Sequence, residues 1–249
     1  MLIFLYYISF IKMKGFFILS SYENKVYLYD DNIGFVEYVQ HMGQDLTIVN
    51  AARASTGKES TEFNERDKKL LDFLIKSGHT STLEHNLLTV RCKVPLFVSK
   101  QHMRHRTASY NEISRRYTAE QIEFYYPDAL RPQDKKNRQA TLNEDYNPVL
   151  ETTGLTAADS LQQHSEQSLK VYQEMIDKGI GRELARMYLP QNLYTTYWAT
   201  ANLHNWMGFI DKRDHIDAQL EIRVLAQGLS KIIQDLWPNA HEAYMKHKS

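Results

Sequence analysis

The spacing of apolar residues predicts that much of this chain is helical. In residues 65–77, leucine and isoleucine recur at positions 70, 71, 74 and 75, which forms one helical stripe, and Gly78 follows as a stop. The segment at 157–178 has a similar stripe and ends before Gly179, while the segment at 218–236 ends before Pro238. Further helices are predicted for residues 35–42, 96–103, 182–188 and 192–210.

Two segments have the composition of β-strands. Residues 26–29 precede an Asp-Asp-Asn turn, and residues 86–94 alternate and become rich in β-branched side chains. Pro95 then stands where the first turn of the helix at 96–103 would begin. Because the strands do not alternate regularly with the helices, the pattern predicts an α+β fold rather than a doubly wound sheet.

Two other segments fall outside this pattern. Residues 127–158 are rich in Pro, Asp, Asn, Gln and Lys, which is typical of an exposed excursion, partly disordered or partly an arm. Residues 1–20 are apolar, but Lys12 and Lys14 interrupt them, so they are short for a membrane span, and the charges follow the first apolar run, unlike those of a signal peptide. Met13 offers an alternative start, so we interpret residues 1–20 as an extension before one domain at 21–249. A buried first strand or a weak anchor are the alternatives.

Charge and cysteine content narrow the possible partners. The chain has 30 Lys and Arg against 30 Asp and Glu, so it lacks the basic excess of a general nucleic-acid binder. Its single cysteine, Cys92, excludes an intrachain disulfide or a cysteine-rich metal site and fits a reducing, cytoplasmic compartment. No His-Glu-x-x-His motif is present, and we expect no metal, no nucleic acid and no membrane partner.

The segment most informative about chemistry is residues 104–117, here called the signature segment. It contains four arginines together with a histidine, a glutamate, an asparagine and two serines, without an apolar period. Guanidinium forks match phosphate and carboxylate geometry, so the segment predicts a site for a small polyanionic ligand. Neither a Gly-x-Gly-x-x-Gly fingerprint nor a phosphate-binding Gly-Lys-Ser/Thr loop occurs, so a dinucleotide would bind without either motif.

The signature segment fits the pattern RHRxxSxNExSxRY at every specified position and resembles the flavin-dependent thymidylate synthases. The resemblance extends in order over roughly residues 26–240, except for 127–158. The other matching blocks are Gly34 to Glu37, Met42 to Leu46, Ala51 to Arg53, Gly78 to His85, Val94 to Val98, Arg182 to Pro190, Asn202 to Asn205 and Ala218 to Arg223.

The resemblance implies an antiparallel-rich sheet flanked by long helices, one catalytic domain, and a homotetramer whose subunits share each active site. It implies methylation of dUMP to dTMP, with methylenetetrahydrofolate as carbon donor and FAD and NADPH for hydride. Arg213 would contact uracil and favour its N3-ionised form. The implied FAD-site residues are His79, which also lies beside folate, Ser81, Arg104, His105, Arg106, Glu112, Asn202 and His204. The implied dUMP-site residues are Gln101, Arg104, Glu112, Ser114, Arg115, Arg116, Arg186 and Arg213.

Some interpretations remain open. Ser114 beside arginines also fits an activated nucleophile, although no histidine base is evidently paired with it, and the resemblance assigns it to dUMP. Asp217 and Gly208 depart from residues common in the family. Competing hypotheses are an RNA- or nucleotide-binding module, a flavin-dependent methyltransferase acting on tRNA uracil, and a degenerate homologue. Cys92 lies in an apparent buried strand and outside every matching block, so we expect no catalytic role for it.

Overall fold

The structure, a computed structural model, describes residues 25–138 and 140–248. The predicted extension at 1–20 therefore lies outside the described residues. Helices and antiparallel strands are mixed, as predicted for an α+β protein. In the described part of the chain, no helix has the length and apolarity needed to cross a membrane.

The centre of the fold is a five-stranded antiparallel sheet with the strand order β1-β2-β3-β5-β4. Strand β3 is the middle strand and pairs with β5 along its whole length, from Leu87 opposite Asn202 to Pro95 opposite Tyr194. This pairing brings two segments about a hundred residues apart side by side. The strands are β1 (Lys25–Tyr27), β2 (Phe35–Met42), β3 (Leu87–Pro95), β4 (Ser109–Glu112) and β5 (Tyr194–Asn202).

The helices cover one face of this sheet and extend the fold beyond it. Three short 3₁₀ segments, Ala54–Thr56, Thr80–His85 and Arg186–Tyr188, connect or extend them. The helices are α1 (Asp45–Arg53), α2 (Glu65–Lys76), α3 (Leu96–His102), α4 (Ala157–Asp177), α5 (Arg182–Ala185), α6 (Leu203–Arg213), α7 (Leu220–Leu236) and α8 (Pro238–His247).

The main core lies between the sheet and helices α6 and α7. Helix α7 lies so close to β2 that a Cβ atom added at Gly228 would come within 2.8 Å of Val36 Cγ1. Cys92 is fully buried in β3, as predicted. A smaller cluster centred on Tyr172 packs α4 against the 182–193 segment. The interpretation of residues 21–249 as a single domain stays a prediction.

Two predicted helices are wrong. Residues 35–42 form strand β2, which pairs with both β1 and β3, and residues 194–202 form strand β5 rather than the first half of a helix. Residues 35–42 contain Phe, Val and Tyr, and residues 194–202 contain Thr, Tyr and Trp, whose branched or aromatic side chains suit a pleated surface. The helical part of 192–210 begins only after Asn202, whose side chain accepts the Asn205 amide at 2.8 Å as an N-cap.

Other predicted elements are confirmed with small changes of boundary. The helices at 65–77, 96–103 and 157–178 and the strand at 86–94 are present. Helix α7 ends before Pro238 as predicted, but Pro238 also begins α8, in the first-turn position that proline tolerates.

The excursion at 127–158 forms no strand beyond isolated bridges in its described residues before α4 begins. It is attached by Arg131, which donates to the Glu221 carboxylate at 2.7 Å. Glu221 is 3% exposed, and Tyr125 donates to the same oxygen at 3.2 Å. The excursion therefore has one ordered anchor at the start of α7.

Candidate active site

The signature segment follows α3 and runs along one edge of the sheet. It passes through a turn, contributes strand β4, and ends in a second turn at 114–117. In this second turn the Ser114 carbonyl accepts the Tyr117 amide at 3.0 Å, and the Ser114 hydroxyl accepts the Arg116 amide at 3.3 Å. The Ser114 hydroxyl thus has a local structural partner, and no basic side chain among the described residues hydrogen-bonds to it, which favours binding over nucleophilic attack.

A direct contact joins the signature segment to Arg213. The Arg213 Nε–H donates to His105 Nε2 at 3.1 Å. Burial, followed by the nearby Arg213 and Lys212 charges, lowers the pKa of His105 to about 4. His105 is therefore neutral at pH 7 and accepts through Nε2, which places its proton on Nδ1. The terminal nitrogens of Arg213 form no hydrogen bond with the described residues and remain available to a ligand.

The start of α6 is attached to both the signature segment and the end of the 3₁₀ segment Thr80–His85. Asn205 Nδ2 donates to the Thr107 carbonyl at 3.1 Å, and the Leu203 amide donates to the Asn86 carbonyl at 2.8 Å. These bonds place Asn202 and His204 near the entry to β3 and beside residues 104–107. Asn202 faces inward as the helix cap, whereas His204 is half-buried and forms no side-chain hydrogen bond with the described residues.

His79 and Ser81 lie at the beginning of the same 3₁₀ segment. Both are exposed, and the His79 ring meets Phe73 edge-on at 6.0 Å between ring centroids. Among the described residues, neither side chain bonds to the signature arginines. Within a single chain, these two residues are therefore exposed and make no bond to the signature arginines.

Glu183 brings two further predicted residues together. Its carboxylate lies 3.8 Å from an Arg116 terminal nitrogen, and its carbonyl accepts Arg186 Nε at 3.3 Å. Arg116 and Arg186, 70 positions apart in the sequence, thus form one exposed cationic patch. Guanidinium groups are well suited to binding phosphate.

Two predicted polar residues are held by neighbouring side chains. Gln101 on α3 donates to the side chain of Gln219, which precedes the first residue of α7. Glu112 at the end of β4 accepts the Thr195 hydroxyl at 2.8 Å. These bonds orient an amide and a carboxylate along the same edge as the arginines.

Arg115 faces inward, unlike its neighbours. It is 9% exposed, and its terminal nitrogens donate to the carbonyls of Glu120 and Gln121. Burial lowers its pKa from the usual range, but a guanidinium remains charged at neutral pH. Direct ligand contact by Arg115 stays a prediction, and its visible contacts organise the loop after the signature segment.

Arg104 and Arg106 are the cations of the site without internal partners. Both side chains are exposed, and neither forms an ion pair or hydrogen bond with the described residues. Arg116 and Arg186, by contrast, both contact Glu183. The guanidinium N–H groups of Arg104 and Arg106 can therefore donate to an anionic ligand at this edge.

Sequence reasoning missed three residues that organise this region. Glu183 and Gln219 lie within matching blocks but carry no predicted role, and Tyr110 occupies an unspecified position of the signature pattern. These residues make contacts between segments distant in the chain, and no local sequence pattern predicts such contacts. For Tyr110, the only signal was an aromatic side chain in an otherwise polar run. Across residues 25–138 and 140–248, no group of three or more His, Cys, Asp or Glu side chains is arranged to hold a metal ion.

Comparison with known proteins identifies the class of this site. The family model described as thymidylate synthase complementing protein matches residues 37–239. A flavin-dependent thymidylate synthase of Thermus thermophilus is 40% identical over 214 residues, which are 86% of this chain and 76% of that protein. The enzyme of the same name from Thermosipho africanus is 37% identical. The aligned region covers 86% of this chain and 91% of that protein.

A solved structure agrees with these relatives. It is a UMP/dUMP methylase from Streptomyces cacaoi bound with 5-Br UMP, with 31% identity, a TM-score of 0.73, and coverage of 86% of this chain and 94% of that one. The fold and the relatives are thus those of a flavin-dependent methyltransferase. The chain belongs to the thymidylate synthase complementing protein family, the flavin-dependent thymidylate synthases.

Proposed function

We propose that this enzyme converts dUMP to dTMP by reductive methylation, with methylenetetrahydrofolate as carbon donor and NADPH as the source of hydride. The observation that carries the proposal is the bond between Arg213 and His105, which joins two family blocks more than a hundred residues apart into one site. We place the reaction in the cytoplasm, which fits the reduced, buried thiol of Cys92.

The residues along this edge fit FAD. Its pyrophosphate requires cationic donors, which the unpartnered Arg104 and Arg106 provide. His105 offers Nδ1–H as a further donor, because its other nitrogen accepts from Arg213. When bound, FAD supplies redox chemistry that no protein side chain provides. The other residues proposed to hold it are His79, Ser81, Glu112, Asn202 and His204.

The cationic patch of Arg116 and Arg186 is proposed to bind the dUMP phosphate. Ser114 starts the turn that presents Arg116, and we assign Gln101 and Arg104 to the same ligand. Glu112 and Arg115 are also proposed dUMP-site residues. Arg115 would act chiefly by organising the loop after the signature segment.

Arg213 is the proposed catalytic residue. Its guanidinium remains cationic although burial lowers its pKa, so it would stabilise negative charge on the uracil ring. Ionisation at N3 raises electron density at the ring carbon that receives the one-carbon unit. With Nε bonded to His105, the two terminal nitrogens have no hydrogen-bond partner among the described residues and are available to the uracil ring.

We further propose a homotetramer with active sites shared between subunits. Large apolar side chains next to the proposed ligand residues are exposed in the single chain: Tyr117 at 77%, Met187 at 75% and Ile216 at 78%. Such a grouping is typical of a surface that another subunit covers. Sedimentation at several concentrations tests this, and a purely monomeric active enzyme would contradict it.

The function is tested by purifying the protein, recording flavin absorbance, and measuring tritium release from C5-labelled dUMP together with dUMP-dependent NADPH oxidation. Release of tritium that requires the folate is the expected result. A colourless protein that FAD cannot reconstitute would refute the proposal. Omission of the folate and of NADPH in turn identifies each co-substrate.

A second acceptor is UMP, because the similar solved structures from Streptomyces cacaoi are UMP/dUMP methylases, one bound with 5-Br UMP and one with 5-Br dUMP. Competition between UMP, dUMP and uracil-containing RNA in the same assay separates the acceptors. Preference for RNA, with steep salt dependence of binding, would favour a tRNA methyltransferase instead.

A further inference from the structure

Tyr110 makes an unusual pair of contacts at an unspecified position of the signature pattern. Its hydroxyl lies 3.0 Å from the carbonyl oxygen of His102 and 3.0 Å from that of His105. A phenol has one hydrogen, so the two carbonyls share it. Burial raises the pKa of Tyr110, which keeps the hydroxyl protonated as a donor.

These two carbonyls belong to one turn. The His105 amide donates to the His102 carbonyl at 3.0 Å, which closes a four-residue turn with Arg104 at its third position. The Tyr110 hydroxyl therefore connects both ends of the turn that presents Arg104 and His105. Without this connection, only one backbone hydrogen bond closes the turn.

The ring of Tyr110 rests on a rigid base. It meets the His102 ring edge-on at 5.3 Å between centroids, and His102 is fully buried with Nδ1 2.7 Å from the Tyr197 hydroxyl. The backbone of Tyr110 is paired with Ala199 in β5. Tyr110 thus fixes the position of the turn relative to the sheet.

We propose that Tyr110 is a positioning residue, which fixes the turn at 102–105 so that Arg104 meets its ligand and His105 holds Arg213. This inference rests on the proposed function for the identity of the ligands, but the contacts themselves do not depend on it. A shift of the turn would displace the Arg104 guanidinium and the Arg213 acceptor together, so flavin binding and turnover should both suffer.

The test compares Tyr110→Phe with Tyr244→Phe in the complete protein. Tyr244 is a matched control, because its half-buried hydroxyl donates to the Met207 carbonyl at 2.8 Å, away from the turn. Each variant loses one tyrosine hydroxyl that donates to backbone carbonyl oxygen, and each keeps its ring. FAD affinity, kcat and KM for dUMP, thermal midpoint, and amide exchange of the peptide containing residues 103–106 are measured.

For Tyr110→Phe we expect FAD affinity and kcat to fall by about tenfold each, with faster amide exchange at 103–106. Tyr244→Phe should show none of these changes, although both variants should have similar thermal midpoints. Equal FAD affinity and equal exchange in the two variants would overturn the proposal. FAD affinity and exchange need no nucleotide, so they remain decisive even if dUMP is not the acceptor.

If Tyr110→Phe is not recovered folded, the wild-type protein carries the test. The amides of 103–106 should then exchange as slowly as those of β4. Exchange at the rate of an unprotected loop would overturn the proposal.

Discussion

At the scale of single residues, His105 and Arg213 determine each other's chemistry. Burial and the neighbouring cation keep His105 neutral, and a neutral imidazole has the lone pair that Arg213 needs as acceptor. A protonated ring would repel the guanidinium. The pair therefore places a fixed arginine beside an imidazole N–H that has no hydrogen-bond partner among the described residues.

Arg213→Ala should lower kcat by on the order of 100-fold while leaving most of the flavin bound, because in our proposal the guanidinium acts on the uracil ring. Turnover with dUMP and flavin absorbance per protein chain measure the two effects separately. Lys212→Ala is the control, since Lys212 is exposed and adjacent. Parallel loss of flavin and turnover in Arg213→Ala would contradict the role assigned to Arg213.

Cys92→Ala should retain activity. The thiol is fully buried in β3, and burial raises its pKa to about 12, so almost no thiolate exists at neutral pH. Replacing it by alanine leaves a small void and should cost about 1 kcal/mol of unfolding free energy. Loss of turnover with intact flavin binding would show that the residue takes part in the reaction.

At the scale of elements, the approach of α7 to the sheet depends on the absence of one side chain. Gly228 lies mid-helix, where glycine is unfavourable, yet a Cβ atom there would lie 2.8 Å from Val36 Cγ1 and 2.9 Å from Leu28 Cδ2. Val36 is fully buried and cannot move aside easily. Close packing of helix on sheet thus outweighs helix propensity at this position.

Gly228→Ala should destabilise the protein by about 1–3 kcal/mol through overpacking. Gly208→Ala in α6 is the matched control, because a Cβ atom added there would have no neighbour within 4 Å, and it should stabilise by about 0.5–1 kcal/mol. Urea unfolding of both variants measures the difference. Stabilisation by both would show that α7 lies further from the sheet.

At the scale of the whole molecule, buried histidines connect stability to pH. Burial lowers the pKa of His41, His102, His105 and His241, to about 3 for His102 and about 4 for His105. The unfolded chain, with histidine pKa values of about 6.5, then binds protons before the folded one. The stabilising contribution is therefore complete above about pH 6.5 and is lost as the pH falls through the folded pKa values.

The urea midpoint should accordingly decrease steadily from about pH 7 to about pH 4. Protonation of His102 would place a charge beside the Tyr197 hydroxyl in a fully buried site, so His102→Gln should show a shallower decrease. Measuring both proteins across this range gives the comparison. A midpoint that stays constant over the whole range would contradict the lowered pKa values.

The sequence by itself determined the family and the α+β class, because the signature pattern and helical stripes are local properties of the chain, while the site residues it indicated stay predictions. The sequence did not predict strands β2 and β5. Both depend on pairing with β3, and apolar spacing alone favoured helices in these segments. Their β-branched and aromatic content was the unused signal.

Only the tertiary structure decided which residues act together. It joined Arg213 to His105, gathered Arg116 and Arg186 around Glu183, turned Arg115 inward, and placed the Tyr110 hydroxyl over the 102–105 turn. These are contacts between segments that are distant in the chain, or they depend on which way a side chain in a loop points. Tertiary packing settles them, because residue order alone carries no distance between such segments.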